Sequence, residues 1–205
     1  MKKSLKPLQL RYDVVGRLSA LLDAGETLLC EGYDKAQPQL IANTAGISVG
    51  LFYRHFKNKQ ELLTAVMVRR LNELHTQIAQ ALQPILPPTE ALHTLLLLTL
   101  KYFHLHQGLI KLFFMQIGYG DSNATEHLKQ SRQTYRDLLS TILEQGMNQG
   151  VFLPPPLLNV QVAINSIIGT INWSLYDLLV VQNQTLEPEA FAEKLFVHLL
   201  RSLTR

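Results

Sequence analysis

Apolar side chains recur along the chain at three- and four-residue intervals almost throughout. Over residues 14–31, Val15, Leu18, Leu21, Leu22, Leu28 and Leu29 mark one face of a helix that Gly32-Tyr33 ends. Gln37-Pro38 opens a short second helix through Leu40, Ile41 and Ala45, stopped at Gly46, because proline at the first helical position gives up only an N–H that has no partner there. Ser48 caps a third helix from Val49 to about Phe56, its hydroxyl placed to accept from the backbone donors of residues 50 and 51. Asn58 with Glu61 has capping-box spacing and predicts a long helix from Lys59 to about Gln83. After the breaks at Pro84, Pro87 and Pro88, Thr89 is the expected cap of the next helix. Further helices are predicted over 89–106, 108–118, 124–149, 157–181 and from Pro188 to the last residues. Gly118, Gly120 and residues 121–123 form one loop, and Gly150 and the prolines at 154–156 form another. No alternating run is long enough for a sheet, so the expected fold class is all-α.

Within this pattern Ala42, Gly46 and Phe52 are spaced as two helices joined by a tight turn require: a small residue at the approach, a glycine in the turn, an apolar plug behind the second helix. Those three positions fit a helix-turn-helix and also an ordinary helical hairpin. The exposed face favours the former, since Tyr53, Arg54 and His55, followed by Lys57 and Lys59, can all donate to phosphate oxygens or base edges. Charge distribution points the same way. Residues 1–70 hold eleven basic and six acidic side chains, net +5, whereas the remaining residues are net −2.

Composition narrows the classes further. The 205 residues are 47% hydrophobic, ample for a packed core. The single cysteine, Cys30, forms no intrachain disulfide, and with no charged-then-apolar leader the expected location is cytoplasmic. The apolar run Leu95–Leu100 is far shorter than the roughly 20 residues that cross a bilayer, so it is expected to be a buried helix, and no membrane partner is expected. His104 and His106 project about 200° apart on a helix and cannot share a metal, and His93 and the remaining histidines show no metal-ligand spacing either. There is no phosphate-binding glycine loop, nucleophile elbow or Cys-x-x-Cys. No metal, no cofactor and no catalytic residue is expected.

Residues 21–33 and 41–63 resemble the tetracycline-repressor (TetR) family of transcriptional regulators. Ile41-Ala42, the turn Ala45-Gly46-Ile47-Ser48, the pattern Gly50-x-x-Tyr53-x-x-Phe56 and Lys59-x-x-Leu62 stand in the family's register. The resemblance implies that Ser48 caps the recognition helix and touches a phosphate, and that Val49 and Gly50 lie at its groove-facing start. Val49 there can meet a thymine methyl. It further implies that Tyr53 and His55 clamp phosphates, that Arg54 is a further donor, and that Lys59 and a helix N-terminus share one phosphate. Leu51, Phe52 and Phe56 are expected in the core. Two departures stand out. Ala36 and Gln37 replace the hydroxyl residues that usually open the second helix, leaving Gln39 to take up part of their role, and Ala24-Gly25 replaces paired alanines. Gly25 costs about 1 kcal/mol of helix propensity but permits a close helix approach. Lys2, Lys3 and Lys6 read as a solvated end, with a basic arm on DNA as the alternative.

The expected organisation is a three-helix helix-turn-helix DNA-binding domain, residues 1–58, followed by a helical effector-binding and dimerisation domain, residues 59–205. In that body His75, Phe103, Phe114 and Trp173 are the expected ligand-binding residues, apolar walls with one polar anchor, and His106, Gln116 and Asn172 are further interior-capable polar groups. Apolar positions at Val162, Ile164, Ile167, Ile168, Ile171 and Leu175, and at Phe191, Leu195, Phe196, Leu199 and Leu200, suit a four-helix dimer interface. The partners implied are a palindromic double-stranded DNA operator, a small apolar effector and a second copy of the chain. The competing functions are a helical ligand- or partner-binding protein without sequence-specific DNA contact, and a helical enzyme.

Overall fold

The computed structural model describes residues 14–83, 85–116 and 122–204. They form helices α1 (Val14–Glu31), α2 (Pro38–Thr44), α3 (Val49–His55), α4 (Lys59–Ala81), α5 (Pro88–Leu105), α6 (Gln107–Gln116), α7 (Ser122–Asn148), α8 (Val160–Tyr176) and α9 (Pro188–Leu203), with a π-helical turn over Asp177–Val181 extending α8. No strand occurs among the described residues. Chain contacts divide the molecule into two compact units, Met1–Val66 and Met67–Arg205, and α4 begins in the first and ends in the second.

In the first unit α2 packs against α1 and α3. Leu21, Ile41, Ala42, Phe52 and Leu62 are fully buried, and each large side chain among them contributes about 1.5–3 kcal/mol by leaving water. The turn between α2 and α3 is fixed by Gly46 at φ +69°. The N–H of Gly46 donates to Asn43 O and that of Ile47 to Ala42 O, the paired bonds of a Schellman ending. Gly25 permits the close approach expected of it: a Cβ there would stand 2.6 Å from Leu62 Cδ2.

In the second unit α5 is the central helix, packed by α9, α7, α8 and α6. Leu92, Leu95, Leu96 and Leu100 are fully buried, as expected of the apolar run. α7 ends in the same device as α2, with Gly150 at φ +70°, Gly150 N–H on Met147 O and Val151 N–H on Gly146 O. The chain then folds back so that the Phe152 ring lies directly on Gly146, where no Cβ could fit.

Some predicted boundaries are corrected. Thr89 is not a cap; Pro88 occupies the first helical position, and the cap position falls to Pro87. Ser122 and Asn123 belong to α7 rather than to the preceding loop. Leu157 and Leu158 lie in a turn closed on Pro154 O, so α8 starts at Val160, with the Asn159 side chain accepting from Val162 N–H at 3.1 Å.

Candidate functional site

In the first unit the outer side of α3 is polar. Ser48 Oγ accepts from Leu51 N–H at 3.3 Å, which holds open the start of α3, and Phe52 and Phe56 behind it are buried while Leu51 is half-buried. On the outer side Ser48, Gly50, Tyr53 and Arg54 are exposed, with Val49 and His55 half-buried. The Tyr53 ring stands edge-on to Phe52 at 5.3 Å, so its base is steadied while its hydroxyl end faces outward. A Cβ on Gly50 would meet only Ser48 Oγ, at 4.0 Å. Packing within the chain therefore does not require glycine there. A closely approaching external surface would.

Gln39 is exposed on α2 and donates from Nε2 to Asn43 Oδ1 at 3.0 Å. Ala36 is fully buried, and Gln37, at the cap position of α2, bonds Asp34 O instead of capping the helix. At the start of α4, Asn58 Oδ1 accepts from Glu61 N–H at 2.8 Å. The return bond of the capping box is shifted by one residue, with Glu61 Oε2 accepting from Lys57 N–H at 2.6 Å. Lys59 is partly committed inside the chain: Nζ donates to Tyr33 O at 2.7 Å and lies 4.1 Å from the Tyr33 ring centroid. An ammonium carries three donors, so this contact leaves capacity for an outside acceptor. Lys2, Lys3 and Lys6 lie outside the described residues.

The second unit contains a cavity of about 350 Å³ between α4, α5, α6, α7 and α8. Its apolar wall is Leu71, Leu74, Phe103, Phe113, Ile168 and Ile171. Its polar wall is His75, Thr99, Arg132, Tyr135, Arg136 and Asn172. Of the four residues expected at a ligand site, His75 and Phe103 are therefore brought together here. Phe114 and Trp173 are not. Phe114 stacks on Tyr176 with centroids 4.4 Å apart, and Trp173 packs on the same tyrosine while remaining 62% exposed. Each is one residue, about 100° of helix rotation, beyond a neighbour that does reach the wall, Phe113 and Asn172 respectively. His106 stacks on Tyr102 and is not on the wall, and the Gln116 side chain lies outside the described ones.

The polar groups of the wall are of two kinds. Tyr135 OH shares a 2.9 Å hydrogen bond with Thr99 Oγ1, and burial pushes its phenol well above the ordinary value. Arg136 donates to Asn165 Oδ1 at 2.9 Å and Gln161 Oε1 at 2.8 Å. By contrast, neither ring nitrogen of the buried His75 has a hydrogen-bond partner among the described residues, and desolvation lowers its pKa from 6.5 to about 4. Arg132 Nε and Nη2 are likewise buried without partners among the described residues, and desolvation lowers the guanidinium from its ordinary value. Beside the cavity, α4 is tied to its neighbours by polar bonds. Tyr102 OH and Arg70 Nη1 donate to Glu73 Oε2 at 2.9 and 2.7 Å, and Ser131 Oγ donates to Asn72 Oδ1 at 2.9 Å. Burial works to raise the Glu73 carboxyl, but the bonds from Arg70 and Tyr102 outweigh it and hold the group below the ordinary carboxylate value.

Arg132, Tyr135 and Thr99 escaped the sequence reading. A signal for Arg132 existed: it sits four residues after buried Leu128 and three before Tyr135, on the inward stripe of α7 that continues to Leu139 and Ile142. Among the described residues no group of three or more histidine, cysteine or carboxylate side chains is placed to hold a metal ion.

Many apolar positions expected at a dimer interface instead fill the chain's own core, among them Ile164, Ile167, Ile171, Leu175, Leu195 and Leu199. The apolar side chains that α8, its π-turn and α9 leave exposed are Val162, Trp173, Val181 and Val197. Val160–Val181 is also the one described helix long and apolar enough, by length and composition, to cross a membrane.

Comparison with known proteins places both units. A family model described as bacterial regulatory proteins, tetR family, matches residues 21–66, and one described as tetracyclin repressor-like, C-terminal domain, matches residues 86–176. The chain is 25% identical over 193 residues to the HTH-type transcriptional regulator YhgD of Bacillus subtilis, covering 93% of this chain and 98% of that one. It is 26% identical over 180 residues to the fatty acid metabolism regulator protein of the same organism, covering 82% and 90%. The crystal structure of the transcriptional regulator FadR from Bacillus subtilis in complex with stearoyl-CoA superposes with a TM-score of 0.80 at 20% identity, over 90% of this chain and 98% of that one. With the helix-turn-helix model on the first unit and the repressor-like model on the helical body behind it, the chain belongs to the tetR family of bacterial regulatory proteins.

Proposed function

We infer that this regulator is a repressor whose hold on operator DNA is weakened when a compound with a fatty acyl chain fills the cavity of its helical body. As a tetR-family protein it is a DNA-binding transcriptional regulator that acts as a dimer. The observation that carries the effector reading is the cavity itself. Its walls carry apolar side chains together with buried polar groups that have no partner among the described residues, the arrangement that orients an amphipathic ligand. The fatty acid metabolism regulator among the relatives and the stearoyl-CoA complex among the structures support the choice of an acyl compound.

In this reading residues 1–58 form the DNA-binding domain and residues 59–205 the effector-binding and dimerisation domain. Ser48, Val49, Gly50, Tyr53, Arg54 and His55 face the operator, with Gln39 and Lys59 on its phosphates. His75 and Phe103 contact the effector. The partner chain covers the exposed stripe of α8, where Val162, Ser166, Gly169 and Trp173 recur at helical spacing and the small residues in the middle let two helices approach closely. Two recognition helices would then enter successive major grooves, roughly 34–36 Å apart.

The test is operator affinity on DNA from the protein's own upstream region, measured with and without decanoic acid or decanoyl-CoA. A loss of affinity by a factor of roughly 5 to 150, the range of ordinary allosteric coupling, is expected. Operator binding indifferent to every acyl compound that binds the protein would remove the repressor-release reading.

A further inference from the structure

The cavity wall has an unmet demand that an apolar chain does not answer. Arg132 Nε and Nη2 and both ring nitrogens of His75 face it buried and unpartnered among the described residues. Arg132 Cζ lies 5.1 Å from the Phe113 ring centroid, a contact that steadies the cation but satisfies none of its N–H groups. Among the described residues no Asp or Glu lines the cavity. A desolvated guanidinium without an anion is costly, and its planar fork matches the two oxygens of an oxyanion. The neutral imidazole of His75 always keeps one N–H to donate.

We propose that the cavity binds the free carboxylate of a medium-length fatty acid, its head on Arg132 and His75 and its chain along Leu71, Leu74, Ile168 and Ile171. The proposal rests on the acyl-effector reading above and narrows it to one head group. The volume sets the length. A space of about 350 Å³ admits an acyl chain of modest length. A coenzyme A thioester presents only a neutral carbonyl at the same position, a weaker partner for the guanidinium than a carboxylate.

Calorimetric titration of the full-length protein with decanoate, 1-decanol and decanoyl-CoA tests it. Decanoate should bind about 10- to 100-fold more tightly than 1-decanol, the difference expected of hydrogen bonds to a charged group. In Arg132→Met that ratio should fall to near one. The thermal midpoint of this variant should be close to that of the wild type, because methionine keeps the apolar stem and removes two buried N–H groups that have no partner among the described residues, so loss of the preference is not loss of the fold. Equal wild-type affinity for decanoate and 1-decanol, or an undiminished ratio in Arg132→Met, overturns the carboxylate site. So does tighter binding of decanoyl-CoA than of decanoate. If none of the three binds, the acyl-effector reading itself fails, an outcome distinct from the others.

Discussion

Burying His75 against an apolar wall makes the ligand-free protein acid-sensitive by an amount the structure sets. Its pKa falls from 6.5 to about 4 because desolvation disfavours the imidazolium. The unfolded chain therefore binds a proton in this window that the folded chain refuses. The stability of the folded state is unaffected by His75 above pH 6.5, falls as the pH drops from 6.5 towards 4, and loses nothing more below. The full window is about 3 kcal/mol at 1.36 kcal/mol per unit, and about 2 kcal/mol of it is spent between about pH 7.5 and about pH 5. Carboxylates such as Glu73 add their own acid dependence, so the measurement is a difference. Urea unfolding of the wild type and of His75→Leu, at one protein concentration and at both pH values, isolates the imidazole. The wild type should lose about 2 kcal/mol more than the variant. Equal losses in the two proteins would refute the reasoning, since His75 would then titrate as if it were in water.

At Gly46, φ +69° with no atom near a new Cβ leaves backbone strain as the main cost, so Gly46→Ala should lower stability by about 1–2 kcal/mol in denaturant titration, with Gly46→Asn falling between. Gly146→Ala should cost more, about 3 kcal/mol, because its Cβ would occupy the place of the Phe152 ring, and Gly146→Ala combined with Phe152→Leu should recover part of the loss. Arg54→Ala should weaken operator binding and lower the slope of log affinity against log salt by about 1 if the exposed guanidinium meets a phosphate. Trp173→Glu should shift the dimer towards monomer at micromolar concentration in light scattering, and an unchanged dimer would move the interface away from this face of α8.

What the sequence made legible was local. Pro38, Ser48, Asn58 and Gly46 announce caps and turns through chemistry within four residues of themselves, and the structure has each doing that job or one register away from it. The misplaced Thr89 cap was also a local matter, two competing start signals of which the prolines prevailed. Which face of a helix points where is a different kind of question. Trp173 and Asn172 are equally good pocket residues on paper, and only the packing of α8 against α5, α6 and α7 decides that the asparagine turns inward. The same packing takes Ile164 and Ile167 into the chain's own core instead of the interface. Arg132 was hidden for a further reason. On a helix as polar as α7 an arginine reads as solvated, and its isolation appears only when the walls from four other helices close around it.

The bonds that tie α4 to α5 and α7 make its position stepped rather than continuous. Apolar side chains slide past one another at little cost, but a hydrogen bond of 2.9 Å fails within a fraction of the 1.5 Å that one residue of helix advances. Glu73 on Tyr102 and Asn72 on Ser131 thus act as two detents on one shaft. The helix either rests in both notches or must leave both together, and His75, two residues past Glu73, travels with whichever choice is made.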